Sequence, residues 1–262
     1  MCGIAGYSLD ADSAVDRTLA AQALLAGIAE RGADAVGYGY RGDAPAVTIH
    51  KQRTGATALL EAVVLPDSAT QALVHVRDYT KGHPTILANN HPIRHGSVVG
   101  IHNGIIVNDE EIFARYRFER AEPEMTVDSE AIFALMEATD SDHAALEELR
   151  GAMAAAWIDE ISGTMHLARG VARPMWIGCS RRELFFASTK AALEVVERVL
   201  RLSLRKSELR EGRRLVLDGG RVSAETRFRP DRSYRENNVL PSVRAPHEGV
   251  SCLARLDALA LS

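Results

Sequence analysis

Long apolar runs are missing from this 262-residue chain. No stretch of about 18 apolar residues occurs and no basic-then-apolar segment opens the sequence, so neither a membrane span nor a signal peptide is expected. Cysteine is scarce: Cys2, Cys179 and Cys252 are odd in number and far apart, which argues against a disulfide framework and a CxxC metal knuckle. Charge of one sign does not accumulate either. The 31 basic and 35 acidic residues are spread along the chain and leave a net charge of −4, no electrostatic footprint for a nucleic acid or an anionic membrane. Repeats and low-complexity segments are absent. What remains is 46% hydrophobic residues, enough for a substantial core in one compact domain, and a cytoplasmic location is expected.

The opening heptad Met1-Cys2-Gly3-Ile4-Ala5-Gly6-Tyr7 puts a cysteine where removal of one residue makes it the amino terminus. Methionine aminopeptidases cut before a small second residue. A chain starting at Cys2 carries a thiol and an α-amine on one residue, with reference pKa values near 8.5 and about 7.7 to 8.0. The amine can then take the thiol proton, directly or through a water, without a separate catalytic histidine. The plainer alternative is a buried strand with Cys2 as an inert core thiol.

Read in order, residues 2–8 form a strand and Ala11–Glu30 a helix closed by Arg31-Gly32-Ala33-Asp34. A hairpin follows in Val36–Arg41 and Ala46–Lys51, where Gly37-x-Gly39 signals close strand packing rather than a phosphate loop. Gln71–Val76 is a strand that runs into the polar stretch Arg77–Pro84, the mark of a site at a strand end. Ser97–His102, Asn103-Gly104 and Ile105–Val107 read as strand, turn and strand, so a hairpin turn is the structural reading of Asn103. Helices are expected over Glu110–Phe118, from Asp128-Ser129-Glu130 to Ala138, and from His143 to Met153. Four strands follow (Ala154–Asp159, Thr164–Arg169, Met175–Cys179, Glu183–Ala187), then a helix from Lys190 to Leu202 and a hairpin, Arg213–Leu217 with Arg221–Ala224. Hairpin links dominate, so packed antiparallel sheets covered by helices are expected. The domain is placed at residues 1–226; residues 227–262 read as a loosely attached tail, with the apolar end Leu253–Leu261 as a docking segment.

Five histidines, His75, His83, His91, His95 and His102, crowd into 28 positions. Pro92 and Gly96 oppose the helix that would put His91 and His95 on one face, and no HExxH occurs, so neither a metal nor a cofactor is expected. No GxSxG elbow supports a serine triad. The remaining polar residues suit amide hydrolysis at Cys2. The Asn103 side chain and the Gly104 N–H are two donors for a tetrahedral oxyanion. Arg77 can fork onto a carboxylate and Asp128 can pair with an ammonium, although a strand-end charge and a plain N-cap serve equally well for each alone.

Several blocks occur in the order seen in class II glutamine amidotransferases: Cys2-Gly3-Ile4-Ala5-Gly6, Arg31-Gly32-x-Asp34-x-x-Gly37, His75-x-Arg77-x-x-Thr80-x-Gly82, Asn89-x-His91-Pro92, His102-Asn103-Gly104-Ile105-Ile106-x-Asn108 and Asp128-Ser129-Glu130. Over residues 1–225 the chain resembles this family, most of all the glutaminase domains of glucosamine-6-phosphate synthase and amidophosphoribosyltransferase. The resemblance implies an α+β fold, the N-terminal-nucleophile hydrolase sandwich of two antiparallel sheets between helix layers (αββα). It implies Cys2 as nucleophile and base, Asn103 and Gly104 as oxyanion hole, and Arg77, Thr80 and Asp128 as the residues that hold glutamine. Asp78 and Lys81 depart from the family, which commonly has an aromatic residue and a histidine or serine there. The resembling enzymes also continue into an acceptor domain. Three functions are carried forward: a glutaminase subunit that passes ammonia to a separate synthase partner, an acceptor-free hydrolase of a γ-glutamyl amide, and a module that senses glutamine without turnover.

Overall fold

Alternating apolar residues become two antiparallel sheets in the computed structural model, which describes residues 1–236 and 241–260. The strands are β1 (Gly3–Leu9), β2 (Ala35–Arg41), β3 (Thr48–Gln52), β4 (Gln71–Arg77), β5 (Ile93–His95), β6 (Val98–Ile106), β7 (Gly151–Asp159), β8 (Met165–Arg169), β9 (Trp176–Cys179), β10 (Glu183–Ala187), β11 (Arg205–Glu208), β12 (Arg213–Asp218) and β13 (Arg221–Arg227). The helices are α1 (Arg17–Ile28), α2 (Ala56–Leu59), α3 (Asp109–Tyr116), α4 (Glu130–Ala138), α5 (Lys190–Leu200) and α6 (Pro246–Leu259). One sheet runs β11-β9-β10-β1-β4-β2-β3 and the other β13-β12-β8-β7-β6-β5.

Three apolar layers hold these elements. Ile4, Leu73 and Phe186 of the first sheet meet Ile101, Ala154, Ala156 and Leu167 of the second between the sheets. Outside the first sheet, Leu24, Leu25 and Ile28 of α1 and Leu193 and Val196 of α5 cover Tyr7, Val74 and Phe185. Outside the second, Ile132, Phe133 and Met136 of α4 cover Val98, Ala155 and Trp157. This is the four-layer αββα sandwich of the N-terminal-nucleophile hydrolases.

Four expectations change. α1 begins at Arg17 rather than Ala11, because the Asp16 carboxylate caps the Leu19 N–H at 2.8 Å. Asn103-Gly104 is no turn: β6 runs straight through it, pairing Asn103 with Ala154 and Gly104 with Met153. The stretch from His143 is a short 3₁₀ segment, His143–Glu148, and Gly151–Met153 already belong to β7. Alanine favours helix, but Ala152 and Ala154–Ala156 lie buried in a central strand whose neighbours leave room for small side chains, so packing overrides propensity. Lastly, the segment read as a loosely attached tail carries α6. Cys252 and Leu256 are fully buried in the layer over α1, and Glu248 accepts hydrogen bonds from the Thr57 N–H (2.9 Å) and hydroxyl (2.8 Å). Leu261, the last residue of the expected docking end, lies outside the described residues.

Candidate active site

Cys2 sits immediately before β1, half-buried, at the end of the sheet where Gly3 pairs with Val76 of β4. Its thiol donates to the Asp78 carbonyl at 3.4 Å, and its own carbonyl accepts from Arg31 Nε at 3.0 Å. The Met1 ammonium donates to the Asp78 carboxylate, which also pairs with Arg244 Nε at 3.2 Å. Burial pushes the Cys2 thiol up; the Asp78 carbonyl, Arg77 and the terminal ammonium pull the other way without cancelling it. In this state the sulfur keeps its proton and needs a base to lose it.

Arg77 closes β4 and is almost wholly buried. Nη1 donates to Asn90 Oδ1 at 2.5 Å, while Nη2 donates to the Lys81 carbonyl at 2.9 Å and to the Gly82 carbonyl. These bonds tie the arginine to the loop that follows it. Cys2, Asp128 and Asp34 all act on its charge, which places it electrostatically between the thiol and Asp128. Thr80 lies exposed on that loop. The loop is anchored by Lys81, whose ammonium bonds both Asp109 oxygens at 2.9 and 2.6 Å, and by the Tyr79 N–H, which donates to Asp34 at 2.9 Å.

A histidine relay ties the two sheets together beside Asn103. His75 on β4 donates through Nε2 to the His102 carbonyl at 3.2 Å. His102 donates through Nε2 to the Ala152 carbonyl at 3.3 Å, so its Nδ1 accepts from the Ser129 hydroxyl at 2.8 Å. Burial lowers both imidazoles to about 3 and keeps them neutral, which suits scaffolding rather than proton transfer at pH 7. Ser129 stands beside Asp128, whose Oδ2 accepts the Ile106 N–H at 2.6 Å and whose carboxyl burial raises to about 6. Asn103 differs from its neighbours: it is 1% exposed, yet neither Nδ2 nor Oδ1 has a hydrogen-bond partner among the described residues. At Gly104 the backbone has φ +154°, and a Cβ would meet the Ala152 carbonyl oxygen at 1.9 Å, so only glycine fits.

The crowded histidines do not converge on a common point. His75 stacks on His91 with centroids 4.3 Å apart, His95 bonds Glu130 and His83 bonds Thr85. Among the described residues no group of three or more His, Cys, Asp or Glu is arranged to hold a metal ion.

Comparison with known proteins bears on the family of the chain. A family model described as the glutamine amidotransferase domain matches residues 82–195. The chain is 30% identical over 204 residues to the glutamine–fructose-6-phosphate aminotransferase (isomerizing) of Bradyrhizobium diazoefficiens, covering 74% of this chain and 32% of that protein. It is 31% identical over 205 residues to the protein of the same name from Caulobacter vibrioides, with the same coverage. In fold it is similar to the glutamine phosphoribosylpyrophosphate amidotransferase of B. subtilis, with a TM-score of 0.67 at 20% identity, over 86% of this chain and 49% of that one. The chain carries a class II glutamine amidotransferase domain. It spans about a third of the length of the curated relatives it matches.

Within this amidotransferase domain, three residues bear on the site that were not singled out from the sequence. Arg31 was read as part of a helix end, yet its side chain is 1% exposed and grips the Cys2 carbonyl. Ser129 stands in the sequence as part of a helix start and of a family block with no role of its own, although it holds the His102 ring. Arg173, in the link between β8 and β9, carries no local signal: it is buried and pairs with Glu236, 63 residues on. Asp78, noted as a departure from the family pattern, binds the N-terminal ammonium.

Proposed function

We propose that this domain hydrolyses the side-chain amide of glutamine at Cys2 and delivers the ammonia to a separate acceptor enzyme. One observation carries the reading. Asn103 is buried with an amide that bonds nothing among the described residues, beside a Gly104 N–H on a strand tied through His75 to the cysteine-bearing sheet. Leaving such a group unpaired costs about 1–3 kcal/mol, a cost that a donor reserved for a transition-state oxygen explains. With Met1 removed, the Cys2 amine takes the thiol proton and sulfur attacks the γ-carbonyl carbon. The oxygen gathers charge facing Asn103 and Gly104, ammonia leaves with the proton from the amine, and water then cleaves the thioester to glutamate. Arg77 and Asp128 are assigned to the α-carboxylate and α-ammonium, with Thr80 on the adjoining loop.

Intact mass spectrometry after treatment with 6-diazo-5-oxonorleucine tests the nucleophile. The expected product is a chain lacking Met1 with one adduct on Cys2, together with glutamate release from glutamine that Cys2→Ala abolishes. A chain that retains Met1 and gains no adduct overturns the assignment. Adduct formation with turnover of γ-glutamyl amides but not of glutamine favours the acceptor-free hydrolase.

A further inference from the structure

We infer that Arg173 is a binding site for a ligand carboxylate at the rim of the active site, and that the chain's own Glu236 occupies it in this structure. Arg173 is 4% exposed. Nη1 donates to Glu236 Oε2 at 3.0 Å and Nη2 to Glu236 Oε1, a two-point fork that matches a planar carboxylate. Nη1 also donates to the Ala172 carbonyl at 2.8 Å, which fixes the plane of the guanidinium, while Nε has no partner among the described residues.

The two partners are held unequally. The Arg173 side chain is 5% exposed and that of Glu236 23%, so the acid can return to water whereas the arginine stays buried and needs an anion. Glu236 lies in residues 229–236, which form no helix or strand. Besides this fork, the stretch is held by the Arg229 N–H on Glu147 at 2.9 Å and by two ion pairs, Arg229 with Glu147 and Arg232 with Glu211 at 3.4 Å, whose arginines are 91% and 69% exposed. Such exposed pairs add little. An open cleft of about 490 Å³, whose walls include Val171, Ala172, Tyr234 and Glu236, lies beside the fork and reaches Glu236, the partner that a ligand would replace.

Val171, two residues before Arg173, bridges Ala152, whose carbonyl accepts from His102, the residue before Asn103. The charge of Arg173 also acts on His102 and on Arg31, which holds the Cys2 carbonyl. Burial raises the Tyr234 phenol, and Glu236 and Asp128 both add to the rise. A small molecule with a free carboxylate can therefore replace Glu236 on the fork.

Binding rather than turnover tests this, so failure of the glutaminase reading leaves the test intact. Thermal melting of the full chain is followed against glutarate, with chloride at matched ionic strength and inorganic phosphate as comparison arms. Glu236→Gln is expected to bind glutarate at least tenfold more tightly than the wild type, because the internal competitor has lost its charge. The neutral pair Arg173→Gln/Glu236→Gln is expected to lose that gain. Equal responses in wild type and Glu236→Gln, or a gain that persists in the neutral pair, overturn the site. A phosphate response equal to that of glutarate overturns the carboxylate assignment. Should Glu236→Gln melt too early to titrate, Glu236→Asp, with a shorter reach, is expected to give an intermediate gain, and no gain counts against the site.

Discussion

Asp128 combines a cost to folding with a proposed role in binding. Burial holds its carboxyl at about 6, well above the unfolded value near 3.9, with the Ile106 N–H pulling it back. A group raised in this way favours the fold below about pH 4, and that contribution is lost as the pH rises through about 6. At pH 7.5 the ionised Asp128 therefore costs on the order of 2–3 kcal/mol. Asp128→Asn keeps an oxygen for Ile106 and removes the charge. It is expected to raise the melting temperature at pH 7.5 and leave it unchanged at pH 4, while KM for glutamine rises at least tenfold. In the wild type kcat/KM should fall as the pH drops through about 6, as the carboxylate gains a proton. Asn103→Ala separates the other half of the site. Its amide bonds nothing among the described residues, so stability should change little, whereas kcat should fall by about 10² to 10³. Steady-state kinetics with parallel melting curves check both; a normal kcat in Asn103→Ala would remove that residue from the oxyanion hole.

At the scale of elements, α6 shows what a single chain pattern conveys and what it leaves out. The hairpins β2–β3 and β12–β13 were legible because residue alternation and turn residues are local signals. The buried face of α6 is short: Gly249, Cys252 and Leu256 are its buried residues. Gly249 sits there because a Cβ would come within 2.9 Å of Glu30 Cβ, a contact 219 residues away that no window of sequence contains. The site divides in the same way. Cys2, Asn103, Gly104 and Asp128 stand in ordered blocks from which their proposed roles come, while the Arg173–Glu236 pair exists only after folding. Because α6 belongs to the core, Leu256→Ala is expected to cost about 2–5 kcal/mol of stability. Chemical denaturation measures this. A loss below about 0.5 kcal/mol would return the segment to a tail that can be cut without harm, whereas truncation after Arg227 is now expected to impair folding.

For the whole molecule, the proposed site is shared between the sheets: Cys2 and Arg77 come from one and Asn103 and Gly104 from the other, while Asp128 precedes the helix packed on the second. Small movements of one sheet against the other, or of the loop after Arg77, would therefore change the alignment of nucleophile and oxyanion donors. On the proposed reading a docked acceptor acts through that loop, since ammonia made without an acceptor is lost to protonation and diffusion. Two exposed apolar residues adjoin the elements that bear the site: Tyr79 after Arg77, 44% exposed, and Val107 after β6, 55% exposed. Exposed apolar groups beside a site are suited to a partner surface. Glutamine hydrolysis is expected to rise when the acceptor synthase is added, and Val107→Asp to cut that rise at least fivefold while the rate in isolation stays the same. Glutamate release by both proteins, with and without the synthase, measures it. Stimulation unchanged in Val107→Asp would place docking elsewhere, and a full rate in isolation that no synthase alters would favour the acceptor-free hydrolase.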